Sequence, residues 1–335
     1  MLAAHSGHLG VLKYLVKQGV QKNKANDVGA TAFFLAAANG HFEVLRYLVE
    51  QGADKDRTDN NGNTALMLAV QEGHIEILRY LVEQGAEKDT ANNVGWTALM
   101  YAAQHGHLEV LRYLVEQGVE KDKANNNGFT ALMAAAQHGH LGIVRYLVEQ
   151  GVNKDKADNR GQTALMAASH QGHFRIVKFL LEDGVYLNKV RTDGMTALHF
   201  AAQQGHAEIL SLLMAYGASL TTRTNLGHLP IDVAANEAIR VLIHDEPRRR
   251  MDHGHKRAVV PDPDIDQASK RPRLEAEEEG EGQSSASTSA PLTAEALKYE
   301  EEVNGDSASS DEEEIDEERK IHSRHIAMGS SSKSV

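Results

Sequence analysis

The chain is 335 residues long, with 35 Lys+Arg against 47 Asp+Glu, a net charge of -12 and no cysteine. Lacking cysteine, it has no disulfides, thiolate metal sites or Cys nucleophiles. No apolar run approaches the roughly 20 residues of a membrane-spanning helix, so no membrane contact is expected.

In chain order, residues 1–18 read as a partial repeat: Met1 aligns with Met67, in the middle of a helix. A stack that opens inside a unit exposes an apolar end, so the chain is expected to be a fragment or truncated version of a longer one. From there a glycine returns as Gly19, Gly52, Gly85, Gly118, Gly151, Gly184 and Gly217, each step 33 residues without insertion or deletion. A Gly-His pair keeps the same step from Gly40-His41 to Gly205-His206. So does Thr-Ala-Leu at Thr64, Thr97, Thr130, Thr163 and Thr196, with Thr31 followed by Ala32 and Phe33. A period of this size predicts a solenoid of stacked units.

Residues 19–216 hold six complete units. In the one from Gly52 to Gln84, Thr64 is placed to cap a first helix, and Ala65, Leu66 and Ala69 give it an inner face of small residues. Gly73-His74 breaks the chain before a second helix, whose apolar stripe is Ile77, Leu78, Leu81 and Val82. Gly85 suits the left-handed position that ends a helix, and the Asn, Asp and Gly between Lys88 and Gly95 suit a tight turn. One such helix pair cannot bury its stripe alone, so its neighbours must supply the other wall. The outward charges of the second helix, such as Glu43, Arg46 and Glu50, are expected to be solvated and to carry no function.

Residues 217–246 have lost the Gly-His pair and are expected to cap the stack. After them Pro, Ser, Gly and Glu dominate, and Tyr299 is the last Phe, Tyr or Trp. That composition buries too little apolar surface to offset ordering entropy, so a disordered tail is expected, basic over 247–273 and acidic over 274–335.

Period and motifs together resemble the ankyrin repeat over Met1 to about Glu246. The resemblance implies an all-α solenoid: a helix-turn-helix stack with β-turn or hairpin fingers. The family's usual Thr-Pro-Leu-His is Thr-Ala-Leu-Met in four units, from Thr64–Met67 to Thr163–Met166; only Thr196–His199 restores the His. Loss of the Pro should cost little, since Ala is the best helix former.

No phosphate-binding glycine loop, nucleophile elbow or carboxylate pair stands in the repeats, so no catalysis and no cofactor are expected. The histidines, 18 in all, invite a metal reading at His105-Gly106-His107 and His138-Gly139-His140. Their recurrence argues for a structural role in the inter-helix turn instead, and no metal site is expected.

Positions that the stack does not hold fixed are the candidates for binding. The residue after the finger glycine reads Ala30, Asn63, Trp96, Phe129, Gln162 and Met195; before it stand Val28, Asn61, Val94, Asn127, Arg160 and Asp193. The first helices end in pairs such as Gln104-His105 and Gln137-His138. The resemblance implies that these rows line a concave partner-binding face. Trp96 and Phe129, neighbouring aromatics in successive turns, are expected to anchor a protein partner, with Val94, Tyr101, Gln104, His105, Gln137 and His138 around them. The alternative is that the two rings merely pack against their own repeats.

In the tail, Lys256-Arg257 and, after twelve intervening residues, Lys270, Arg271 and Arg273 resemble a bipartite nuclear import signal. They imply an import receptor as partner and a nuclear location, the alternative being cytoplasmic. Ser309 and Ser310, before Asp311-Glu312-Glu313, resemble acid-directed phosphorylation sites. With no interleaved aromatics, direct nucleic-acid binding is not expected. The functional expectation is a monomeric interaction scaffold. Two alternatives remain: a fragment whose lost part carries a catalytic or membrane domain, and a histone-binding chaperone acting through its acidic tail.

Overall fold

The computed structural model describes residues 1–252, with side chains to Asp245. The chain divides into two units, residues 1–261 and 262–335, and the described residues all fall in the first. Lys256, Arg257, Lys270, Arg271, Arg273, Ser309 and Ser310, and the expected disordered tail beyond them, lie outside the described residues.

The described residues form an all-helical repeat stack. The partial first unit holds α1 (Leu2–His5) and α2 (Leu9–Lys17). Six inner helices follow: α3 (Ala32–Ala38), α5 (Ala65–Gln71), α7 (Ala98–Gln104), α9 (Ala131–Gln137), α11 (Ala164–Gln171) and α13 (Ala197–Gln204). Each leads into an outer helix: α4 (Phe42–Glu50), α6 (Ile75–Glu83), α8 (Leu108–Glu116), α10 (Leu141–Glu149), α12 (Phe174–Glu182) and α14 (Ala207–Ala215). Inner helix packs on inner helix and outer on outer, repeat after repeat, and the Leu, Ile, Val and Ala of both rows make one continuous core.

The local chemistry starts each inner helix as the motif predicts. Thr64, Thr97, Thr130 and Thr163 stand in extended conformation, and their hydroxyls accept the N–H of Met67, Met100, Met133 and Met166 at 3.2–3.4 Å. These satisfy donors that the first turn of a helix leaves unpaired. Thr31 makes no such bond. In α13 the cap is His199: its Nδ1 accepts both the Thr196 N–H (3.2 Å) and, at 2.9 Å, the Thr196 hydroxyl. The fingers between repeats are turns closed by isolated antiparallel bridges, Thr58 with Thr64 through Ala157 with Thr163, rather than strands.

In the capping unit residues 230–233 form a turn, with Asp232 Oδ2 accepting the Leu229 N–H (2.8 Å), and α15 (Glu237–Asp252) follows. One expectation needs correction: the outer-helix cations are not merely solvated. Arg79, Arg112 and Arg145 lie over the rings of Tyr113, Tyr146 and Phe179 in the following repeat, 5.0–5.4 Å from the centroids. Each such contact contributes about 0.5–1 kcal/mol at an exposed site. Arg46 does behave as expected, bonding Glu43 in its own helix at 2.6 Å.

Candidate partner-binding surface

Two of the sets of polar ties that lock the repeats frame the candidate surface. The first runs through the inter-helix turns. The imidazole Nε2 of His74, His107, His140, His173 and His206 lies 2.9–3.1 Å from the carbonyl oxygens of Ala38, Gln71, Gln104, Gln137 and His170, each 36 residues back. His41 does the same to His5 at 2.7 Å. A carbonyl only accepts, so Nε2 carries the proton and donates. The glycine of one turn makes room for the imidazole of the next: a Cβ on Gly106 would stand 2.6 Å from the His140 ring. These histidines are therefore structural, as their recurrence implied. In the capping unit Ala235 replaces the imidazole, and its backbone N–H bonds Ala202 O at 2.9 Å instead.

The second set runs along the finger tips. Asn60, Asn93, Asn126 and Asn159 each donate from Nδ2 to a carbonyl 33 residues back, at 2.8–3.1 Å. Inside each finger an Asx side chain folds the turn: Asn92 Oδ1 accepts from the N–H of Val94 and Trp96, and Asn125 Oδ1 from those of Asn127 and Phe129. Trp96 and Phe129 are thus held by their backbones, while their side chains take no part in either set.

Those side chains do meet. Trp96 and Phe129 stack with centroids 6.0 Å apart and planes at 27°, and Trp96 also touches Tyr101, at 5.3 Å and 48°. The Tyr101 hydroxyl donates to Asn63 Oδ1 (3.2 Å) and accepts from Asn92 Nδ2 (3.1 Å), bridging two repeats. Burial holds the Tyr101 phenol above its ordinary range, with Asp59 adding to the rise. All three rings are half-buried against the core, so the self-packing reading holds in part, yet each keeps an outward edge. Val94, in the same finger as Trp96, is 57% exposed.

The remaining candidates follow from helix geometry. Gln104 and His105 lie three and four residues after Tyr101, on the same side of α7, and Gln137 and His138 stand likewise after Ala134 on α9. Gln104 and Gln137 also serve the histidine seam through their carbonyls. The His105 and His107 rings are stacked at 6.2 Å, and His138 and His140 at 6.4 Å, with planes nearly parallel. Parallel stacking does not converge their nitrogens on one point. Among the described residues no group of three or more His, Asp or Glu side chains is placed to hold a metal ion.

Three features of this face escaped the sequence reading. One is the Asn63–Asn92–Tyr101 network. Another is Arg191, which bonds Asp193 through two nitrogens and lies 4.8 Å over Phe200. The third is His170, edge-on to Phe200 at 5.4 Å. A departure from the repeat marks each of them: Arg191 stands where other fingers have Asn or Asp, and Phe200 where α9 and α11 have Ala.

A family model described as ankyrin repeats (3 copies) matches residues 1–92, 57–125, 88–158, 117–191, 150–225 and 185–251. Among solved structures, the crystal structure of the human ASB11 ankyrin repeat domain is similar. It shares 27% identity at a TM-score of 0.60, over 65% of this chain and 98% of that one. No curated protein matches the chain.

Proposed function

The chain belongs to the ankyrin-repeat family, and on that premise we propose that it is a non-enzymatic adaptor that grips a protein partner on its finger face, the concave side in this family. Ankyrin repeats in general are protein-protein interaction modules. Trp96, Phe129 and Tyr101 are the anchors, with Val94, Gln104, His105, Gln137 and His138 around them. The observation that supports this is the contiguous aromatic cluster on an otherwise polar face, backbone-fixed yet open to solvent. Large rings at the centre of an interface carry most of its binding energy, and a rigid stack lowers the entropy cost of presenting them.

The test is the double substitution Trp96→Ala, Phe129→Ala in the full chain, assayed by affinity capture and by melting temperature. Because both rings are half-buried, some stability is lost too; Ile176→Val, in the core of α12, serves as a destabilised control. Capture lost in the double variant and kept in the control supports the reading, while capture unchanged in the double variant ends it.

The two basic clusters, Lys256-Arg257 and Lys270–Arg273, support a nuclear address for the adaptor. Residues 248–273 fused to a fluorescent reporter should carry it into the nucleus, and a reporter left in the cytoplasm would count against this part of the reading.

A further inference from the structure

Beside the aromatic cluster the surface lacks the negative excess of the chain. The finger and helix-end positions of the three central repeats read Asn92, Val94, Trp96, then Asn125, Asn127, Phe129, then Asp158, Arg160, Gln162. The inner helices below end in Gln104-His105, Gln137-His138 and His170-Gln171. One carboxylate stands in these rows, Asp158, with its side chain 6% exposed. Its Oδ1 is taken by the backbone N–H of Arg160 and of Gln162, both at 2.8 Å. Arg160, by contrast, is 73% exposed, and its Nε makes only a long ion pair with Asp158 Oδ2, at 3.8 Å, outside hydrogen-bond range. The next carboxylates along the face mark the ends of the strip: on one side Asp59, whose Oδ1 is taken by the N–H of Asn61 and Asn63, and Glu72, and on the other Asp193, already held by Arg191. A chain of net charge -12 thus presents, over three repeats, a strip without an open carboxylate and with an outward guanidinium. A strip relieved of the chain's negative excess, with a guanidinium as its exposed charge, favours an anionic partner over a cationic one.

We infer that the segment bound on the finger face is an acidic peptide. An aromatic or aliphatic side chain of it seats against Trp96 and Phe129, and a carboxylate further along the same strand pairs with Arg160. This rests on the reading that the finger face is the binding surface, and it adds the chemistry of what binds there. Arg suits the role because its planar fork meets a carboxylate through two parallel hydrogen bonds.

The experiment is selection of random dodecapeptides displayed on phage, run in parallel on the full chain, on Arg160→Glu and on Trp96→Ala, Phe129→Ala. The wild-type pool should be enriched several-fold over the naive library in Asp and Glu, together with an aromatic or aliphatic residue. The Arg160→Glu pool should lose the acidic enrichment and keep the apolar one, and a peptide from the wild-type pool should bind Arg160→Glu at least tenfold more weakly. Arg160→Ala, which introduces no charge of its own, should give an intermediate loss. A wild-type pool that is apolar without being acidic, or an acidic enrichment that survives Arg160→Glu, overturns the inference while leaving the finger face as the binding surface. A wild-type pool with no enrichment, or one that binds the Trp96/Phe129 double variant undiminished, overturns both.

Discussion

The histidine seam and the aromatic strip leave the same inner helices and solve opposite problems. In the seam, His74, His107, His140, His173 and His206 repeat because each donates to a carbonyl of the preceding repeat, and the geometry of that bond is the same at every step. In the strip, Asn63, Trp96, Phe129, Gln162 and Met195 occupy equivalent places and differ, because the finger is folded by backbone and Asx hydrogen bonds that do not consult them. Identity along a stack therefore reports a contact that recurs at every step, and variation reports freedom from that recurring contact. A substitution in the seam should be felt as stability, and one in the strip as affinity.

The largest effect is expected at Gly106. It holds φ +77°, where an L-residue costs about 1–2 kcal/mol, and any Cβ there also pushes against the His140 ring. Gly106→Ala should lose about 3 kcal/mol once the His140 bond is counted at about 1 kcal/mol. Gly118 has the same left-handed φ (+78°) with nothing within 4 Å of a built Cβ, so Gly118→Ala should lose only about 1–2 kcal/mol. Denaturant melts of the two variants separate backbone strain from the seam; equal losses would mean that the glycine is there for its φ alone.

Next is His140→Ala, which removes one tie and leaves Gln104 O without its partner. A loss of about 1–3 kcal/mol is expected, against well under 1 kcal/mol for His138→Ala, whose ring lies on the exposed side of the same turn. Comparable losses would blur the line between seam and surface. Of similar size and opposite sign is Ser169→Ala. Ser169 is fully buried in α11 with no hydrogen-bond partner for its Oγ, where α7 and α9 carry Ala103 and Ala136. Relief of that unpaired hydroxyl should stabilise by about 1 kcal/mol, and a fall in melting temperature would contradict it.

Acidification tests the burial of His140 in the seam and of His199 at the start of α13. Burial holds His140 below the ordinary imidazole range; its bond to the Gln104 carbonyl opposes this in part, and the nearby His138, His107 and His173 add to the lowering. His199 is lowered by burial as well, against the pull of His228 O and Asp193. A base whose folded pKa is depressed takes up its proton first in the unfolded chain. The stability these two contribute is therefore complete above the ordinary value of about 6.5 and lost as pH falls through it towards the folded values. Asp56 and Asp193 are both held below the ordinary carboxylate range, so the acid limb above pH 5 belongs to the imidazoles. Melting temperature should drop between pH 7 and 5, and a flat profile there would show that His140 and His199 are not buried as neutral bases.

Much of this was legible in the sequence for a physical reason. The Thr caps, the Gly-His break and the apolar stripes are local, and a 33-residue period repeats each signal until chance is excluded. What lies one repeat away was not legible. Nothing in Gly106-His107 names Gln71 O as the acceptor, and nothing in Arg79 names the Tyr113 ring, because both contacts depend on the rise and turn between units. For the strip, the sequence singled out Trp96 and Phe129 by their variation but could not say that they stack on each other, or that Tyr101 is tied to Asn63 and Asn92 beneath them.

The division between seam and strip is tested most directly by one pair of titrations. Binding of a single selected peptide is measured on His140→Ala and on Trp96→Ala, Phe129→Ala, well below the melting temperature of either. His140→Ala should bind within about twofold of the unaltered chain although it is less stable, while the double variant should lose at least about thirtyfold, the loss of a hot spot of about 2 kcal/mol. Equal losses in the two, or a loss confined to His140→Ala, would contradict the assignment of stability to the seam and recognition to the aromatic strip.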